Sequence, residues 1–286
     1  MNANLKQGCG ILLIASVALL SILALLPDAD VDHDAGYTAS ELSIRETVDE
    51  NVTSTSYVNS DGGITDAIDM GYATVCRMRD DNDRVVEERY LDASGNPVAR
   101  YGDYYGLSYE YEEASTVITY LDAKGNPMKR SAGYTTIVRT RAGGRASDDF
   151  YYDLNGRQVQ CSGGYYGLHR EYNSDGQNIS VTFLDKDGHA VCTSLGYAGV
   201  TYQRDGNGTV VGEQYFDTEW NPVKNSLGQY GELYQRNEQG YIGQITYLDA
   251  DGNPTPTNAG FTILRRTYHR DGTADTDMYF DANGNP

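Results

Sequence analysis

The chain has 286 residues, of which 41 are Asp or Glu and 22 are Lys or Arg, so its formal net charge is −19. A surface this acidic repels a polyanion, which excludes DNA and RNA as partners. Twenty-five tyrosines and 32 glycines, with only five phenylalanines, favour many short strands and tight turns over a helical bundle.

The first predicted element is an apolar helix at residues 9–26 (CGILLIASVALLSILALL). A helix of that length spans about 27 Å, enough to cross the hydrocarbon core of a bilayer. Lys6 precedes it and four aspartates follow it within residues 28–34. The positive-inside rule therefore predicts a single-pass signal anchor in the cell membrane, with residues 1–8 cytoplasmic and the bulk of the chain extracellular. A cleaved signal peptide is the alternative, and both interpretations export the chain.

Residues 27–56 are predicted to form an acidic linker with one short helix. The helical pattern is Ala39–Val52 (ASELSIRETVDENV), in which Ser40 is a candidate N-cap and acidic residues lie in the first turn. We expect this helix to connect the membrane anchor to the rest of the chain.

A tandem repeat of about 32 residues occupies residues 57–286. Its motif is an aromatic residue, one further residue and then Asp-x-x-Gly, followed in most copies by Asn-Pro. The copies begin at Tyr90, Tyr120, Tyr151, Phe183, Tyr215, Tyr247 and Tyr279, with a decayed copy at Tyr57. In such turns Asp bonds its own backbone, Gly accepts a positive φ, and Pro belongs at the edge or start of a strand. Alternating residues between the turns, as in QITYL at 244–248, predict strands. The last copy is truncated at its proline, so we expect the sequence to be a fragment of a longer protein.

One such unit cannot bury an apolar face alone, so the units must stack on one another. The predicted fold is therefore all-β, an elongated antiparallel β-repeat array preceded by the transmembrane helix. A continuous meander and a ribbon coiled into a solenoid or shell both fit the repeat. A propeller is disfavoured because its blades usually need about 40–45 residues.

The aromatic-Asp-x-x-Gly core is clearest in YDLNGR at 152–157. This core resembles the tyrosine-aspartate (YD) repeats of Rhs-type bacterial surface and toxin proteins, and the resemblance covers residues 57–286. It implies an extracellular, non-catalytic β-rich scaffold or shell, and some such regions are associated with carbohydrate binding. The longer period, and Asn-Pro in place of Arg after the Gly, depart from the family pattern.

Two rows of aromatic residues are the candidate sites, because residues at one position of a repeat line up along an array. The row of motif tyrosines, which the turns follow directly, is expected to pack within the array. The second row, Tyr105, Tyr166, Tyr197 and Tyr230, lies among glycines and is the predicted ligand-binding row. Sugar rings of cell-wall or host glycans are its expected partners, and packing is the alternative.

No motif for a catalytic centre or a cofactor is present, so neither enzyme activity nor a cofactor is predicted. Asp249, Asp251 and Asn253 alternate as in a calcium loop but lack its Gly and Glu spacing, so they are predicted to be turn residues and no metal site is expected. Cys76, Cys161 and Cys192 are predicted to be free thiols.

These features together predict a membrane-anchored extracellular protein that acts as a stalk or a multivalent adhesion and carbohydrate-binding surface. The alternative is an accessory repeat region of a larger membrane-bound enzyme or Rhs-like toxin, whose active domain would lie beyond Pro286.

Overall fold

A computed structural model describes residues 35–286. Sixteen strands form a single sheet in which every strand is hydrogen-bonded to the next strand in chain order, always antiparallel. The strands are β1 (Ser43–Asp49), β2 (Val52–Val58), β3 (Thr74–Arg79), β4 (Val85–Leu91), β5 (Gly106–Tyr111), β6 (Ser115–Leu121), β7 (Thr136–Ala142), β8 (Arg145–Tyr152), β9 (Gly167–Tyr172), β10 (Asn178–Leu184), β11 (Gly199–Arg204), β12 (Val210–Phe216), β13 (Gly231–Arg236), β14 (Ile242–Leu248), β15 (Ile263–Tyr268) and β16 (Ala274–Phe280). The predicted all-β meander is confirmed.

The transmembrane helix predicted at residues 9–26 lies outside the described residues. Between residues 35 and 286, the structure contains no helix with the length and apolar character that a bilayer-spanning segment needs.

The helix predicted over Ala39–Val52 is wrong. A three-residue 3-10 turn at Ala39–Glu41 is followed by β1, which pairs with β2 along its full length. The N-cap of that turn is Thr38, whose backbone N–H donates to the Glu41 carboxylate at 2.8 Å, whereas the predicted N-cap Ser40 lies inside the turn. The β-branched residues after it favour a strand, and β2 and β3 supply the hydrogen-bond partners that a helix would have provided internally.

Each repeat contributes a tight hairpin and a longer connection that holds the Asp-x-x-Gly turn. In the connection after β4, the Asp92 carboxylate accepts the backbone N–H groups of Ser94 and Asn96 at 2.9 and 2.8 Å, and Gly95 has φ +83°. This geometry is the one predicted from the motif. The connection then folds back, and Val98 N–H donates to Tyr90 O at 3.0 Å.

The core is a line of aromatic rings that we call the aromatic ladder. Rings from the motif position, near the ends of the even-numbered strands, alternate with rings that lie two residues before the odd-numbered strands. Consecutive ring centroids are 4.3–6.0 Å apart. The unbroken part comprises Tyr57, Tyr72, Tyr90, Tyr104, Tyr120, Tyr134, Tyr151, Tyr165, Phe183, Tyr197 and Tyr215. The ladder is interrupted at Gln229 and resumes with Tyr247, Phe261 and Tyr279. We call the side of the sheet that carries these rings the ladder face, and the opposite side the back face.

The connections form a second layer beside the sheet. Ser162 N–H donates to Ala132 O, Ser194 N–H to Gly163 O, and Ser226 N–H to Leu195 O, at 2.7–2.9 Å, so the connections after β8, β10 and β12 are each hydrogen-bonded to the preceding one. Partly buried side chains of the connections pack on the ladder. The motif tyrosines from Tyr90 to Tyr247 are therefore core residues, as expected for that row, and Tyr215 is 0% exposed, whereas Tyr279 at the end of the ladder is exposed.

The sheet curves back on itself. Sixteen strands spaced about 4.8 Å apart would separate β1 from β16 by roughly 70 Å in a flat sheet. Arg270, in the turn between β15 and β16, nevertheless bonds both carboxylate oxygens of Glu41 at 2.7 Å. The meander is therefore curved rather than flat, and the β15–β16 turn meets the segment that precedes β1.

Candidate functional site: the back face

A β-bulge immediately follows each ladder residue that lies two residues before an odd-numbered strand. Tyr105 N–H donates to Leu121 O at 2.9 Å, while Gly106 is the register partner of the same Leu121. Two consecutive residues therefore oppose one, and the bulge turns the first of them away from the ladder. Tyr166 and Tyr230 occupy the same position opposite Leu184 and Leu248.

The bulge divides the predicted ligand-binding row. Tyr105, Tyr166 and Tyr230 lie on the back face and are partly exposed. Tyr197 is instead a ladder residue: it is 6% exposed, and its ring centroid is 4.5 Å from that of Tyr215. The bulge position of that repeat is Ala198, so Tyr197 is corrected from a candidate binding residue to a core residue.

Trp220 covers the back face where Ala198 leaves it without a ring. Trp220 lies in the turn that begins at Asp217, and its φ of +63° is unusual for a residue other than Gly. The indole packs directly over Gly199. A Cβ added at Gly199 would lie only 3.1 Å from the indole Cη2. The ring centroid is 5.2 Å from that of Phe216, and Trp220 remains 39% exposed.

Charged and uncharged polar side chains both lie on the back face around these rings. Glu87 and Arg89 pair at 2.7 Å beside Tyr105, and Asp148 pairs with His169 at 2.8 Å beside Tyr166. The strand register places Thr182, Thr201, Gln214 and Thr246 on the back face. A shallow groove of about 510 Å³ is lined by Thr201, Gln203, Gln214, Leu233 and the turn Asp249–Gly252, and a second of about 490 Å³ by Thr119, Thr136, Val138, Tyr152 and Leu154. Aromatic faces beside hydroxyl and amide groups suit a ligand with both apolar and hydroxyl-bearing surfaces.

The ladder face holds a second feature, a row of buried and partly buried acids, that the sequence alone did not reveal. In three hairpins an arginine faces the acid across the strand pair: Arg77 with Glu88, Arg139 with Asp149, and Arg266 with Asp277, at 2.6–2.7 Å. Arg170 adds a second guanidinium to Asp149 at 2.7 Å.

Glu213 departs from this rule, because its hairpin partner is Tyr202. Its partner on the other side is Glu232, so two buried carboxyls face each other, and no lysine or arginine of the described chain pairs with either. Tyr215 donates its hydroxyl to Glu213 Oε1 at 2.6 Å, and Tyr234 donates to Glu232 Oε2 at 3.1 Å. Burial, followed by the neighbouring Glu232, raises the pKa of Glu213 to about 8, and burial also raises the pKa of Glu232.

The remaining polar candidates are accounted for by turns and free thiols. The Asp249 carboxylate accepts the backbone N–H groups of Asp251 and Asn253 at 3.0 and 2.8 Å, which is the predicted turn role. Among residues 35–286, no three His, Cys, Asp or Glu side chains are grouped as metal ligands. Cys76, Cys161 and Cys192 are free thiols, as predicted.

No protein-family model matches the chain, and no curated protein is significantly similar to it. Among solved structures, it is similar to a porin-like protein from Bacteroides uniformis, with 11% identity over 85% of this chain and 97% of that chain and a TM-score of 0.22. It is also similar to the TcdB2-TccC3 structure, with 11% identity over 85% of this chain and a TM-score of 0.20, and it spans only 18% of that chain. Neither likeness is close enough to bear on function.

Proposed function

We propose that this protein is an exported β-repeat scaffold whose back face binds glycans at several equivalent places. The observation that carries the proposal is the recurrence of partly exposed aromatic residues at the bulge, with hydroxyl and amide side chains on the strands between Tyr166 and Tyr230. Tyr105, Tyr166 and Tyr230 each offer a ring that can stack on the apolar face of a sugar, while nearby Thr and Gln side chains bond its hydroxyl groups.

The mechanism is multivalent. Each place offers a single aromatic side chain and binds weakly, but a hydrogen-bonded array holds the places at fixed spacing, so one polymer engages several at once. The net charge of −19 favours neutral over strongly anionic polymers.

Export and anchoring belong to the same proposal. Their support is the apolar run at residues 9–26 with Lys6 before it and aspartates after it. Kinship with YD repeats is also proposed. Its support is that the Asp of each motif turn in the long connections lies two residues after a ladder ring, so that aromatic residue and turn form one structural unit.

A pull-down with insoluble peptidoglycan, chitin, cellulose and xylan tests the proposal, with the full-length chain in detergent because of its apolar N-terminal run. We expect retention by at least one polymer, and at least tenfold weaker retention of a Tyr166→Ala, Tyr230→Ala double variant. Val48 of β1, which is exposed and which the strand register places on the ladder face, gives the matched control, Val48→Ala, which should bind like the parent. Retention by none of the four polymers would overturn the proposal.

A further inference from the structure

The turn that contains Trp220 departs from every other copy. In the long connections, the other six Asp-x-x-Gly motif turns have Gly with positive φ at this position, at residues 95, 125, 156, 188, 252 and 284. Trp220 adopts the same left-handed conformation, which disfavours an L residue with a large side chain. A strained residue that persists at the surface points to a role beyond the turn itself.

The position of the indole supplies that role. Trp220 lies over Gly199 at the start of β11, one repeat from Tyr166 before β9 and one repeat from Tyr230 before β13. These strands are two apart in the sheet, so consecutive rings are spaced by about 9–10 Å. Ala198 is the bulge residue of the middle repeat, and the turn thus restores the ring that the bulge lacks.

We infer that Tyr166, Trp220 and Tyr230 form one track for an extended, neutral, linear polysaccharide of the β-1,4-linked type. In such a chain alternate sugars present the same face, and two sugars span about the distance between neighbouring rings. A single sugar reaches one ring only, whereas an oligomer of five or six sugars reaches all three. The inference rests on the proposed function and names its ligand class.

The neutral character of the ligand follows from the surface beside the track. Thr182, Thr201 and Gln214 lie on the back face between the rings and bear no charge. Beside Tyr166, His169 and Asp148 bond each other at 2.8 Å. Lys224, whose Nζ is 5.8 Å from the Tyr230 ring centroid, contributes one cation against an overall charge of −19. A strongly anionic polymer is therefore a poor partner.

Trp220 is the single tryptophan of the chain, so its fluorescence reports contact directly. The full-length chain is titrated with oligomers of one to six sugars derived from chitin, cellulose and xylan. We expect the Trp220 emission to change with the longer oligomers, with affinity rising at least tenfold between two and six sugars, and no change with the monosaccharides.

Trp220→Leu is the matched variant, because leucine keeps an apolar cover over Gly199 and the same backbone strain but removes the ring. Its polysaccharide retention should fall at least tenfold. Trp220→Gly, which restores the residue of the other six turns, gives the same test if the leucine variant misfolds.

The outcomes separate the two proposals. Retention of a polysaccharide by the parent chain with unchanged Trp220 emission, equal affinity for short and long oligomers, or undiminished binding by both Trp220 variants would overturn the track and leave the proposed function standing. Retention of no polysaccharide at all would overturn both.

Discussion

Because Glu213 and Glu232 face each other in the core, we expect the folded protein to lose stability as the pH rises from 5 to 9. The pKa of Glu213 is raised from its ordinary 4.5 to about 8. Between these values the folded chain holds a proton that the unfolded chain has released, so folding is favoured at low pH. The full contribution is present below about pH 4.5 and is lost as the pH rises through about 8.

The magnitude is large for a single carboxyl. A rise of this size, at about 1.4 kcal/mol per pKa unit, corresponds to a loss of ~5 kcal/mol from this group between pH 4.5 and 8. Domains are typically stable by about 5–15 kcal/mol in total. The turn aspartates do not oppose this trend, because the pKa of each is lowered and they have lost their protons by pH 5.

The assay is urea unfolding at each pH unit from 5 to 9, followed by the emission of Trp220, which lies just beyond β12. Glu213→Gln keeps an acceptor for the Tyr215 hydroxyl but cannot ionise. We expect it to match the parent within about 1 kcal/mol at pH 5 and to exceed it by roughly 3–5 kcal/mol at pH 9. Adding Glu232→Gln should flatten the remaining slope.

Glu88→Gln is the control, because the Glu88 carboxylate pairs with Arg77 at 2.7 Å. This variant should be less stable than the parent throughout the range, since it leaves a partly buried guanidinium without its partner. The reasoning is refuted if Glu213→Gln gains nothing at pH 9, or if the parent is as stable at pH 9 as at pH 5.

Three further predictions concern the core and the turns. Tyr120→Ala should lower the free energy of unfolding by about 3–5 kcal/mol in urea titrations, because it removes a fully buried ladder ring, whereas Tyr279→Ala, at the exposed end of the ladder, should cost less than about 1 kcal/mol. Gly167→Ala should lower the free energy of unfolding by about 3 kcal/mol in the same measurement, because the added Cβ would collide with a backbone carbonyl of β8. Gly188→Ala should lower it by only about 1 kcal/mol, because Gly188 has a positive φ but open space around it. Equal losses for the two variants would contradict the assigned bulge. The pKa of the Asp185 carboxyl is lowered, chiefly by the backbone N–H of His189, so its contribution to stability is present above the unfolded pKa and is lost as the pH falls through the folded pKa. In acid unfolding followed by circular dichroism, Asp185→Asn should lose less stability than the parent as the pH falls. Asp185→Ala should be less stable than Asp185→Asn at pH 7.

The features predicted correctly from the sequence are local ones. The Asp-x-x-Gly turn is closed by atoms within five residues, as at Asp92, so the motif itself specifies it. The burial of the motif tyrosines also follows from a period-two pattern repeated in every copy. Both properties are visible without knowledge of which strands pair.

The features that were missed depend on contacts between strands. The bulge at Tyr105 exists because its N–H and Gly106 both oppose Leu121, and no spacing along the chain marks it. The sequence prediction therefore placed Tyr197 in the ligand-binding row, although it is a ladder residue. The strand at Ser43–Asp49 was missed for a related reason, since its stability comes from pairing with β2 rather than from its own pattern.

The gap in the ladder at Gln229 and the missing arginine beside Glu213 are explained by one requirement. Buried carboxyls need hydrogen-bond donors, and β11 and β13 carry Tyr202 and Tyr234 where β7, β9 and β15 carry arginines. The Gln229 side chain, which is 0% exposed, takes the place of a ladder ring and donates Nε2–H to Glu232 Oε1 at 3.3 Å. A phenylalanine there would extend the ladder but leave Glu232 with one donor fewer. At this one repeat, hydrogen bonding to a buried acid has therefore outweighed the continuity of aromatic packing.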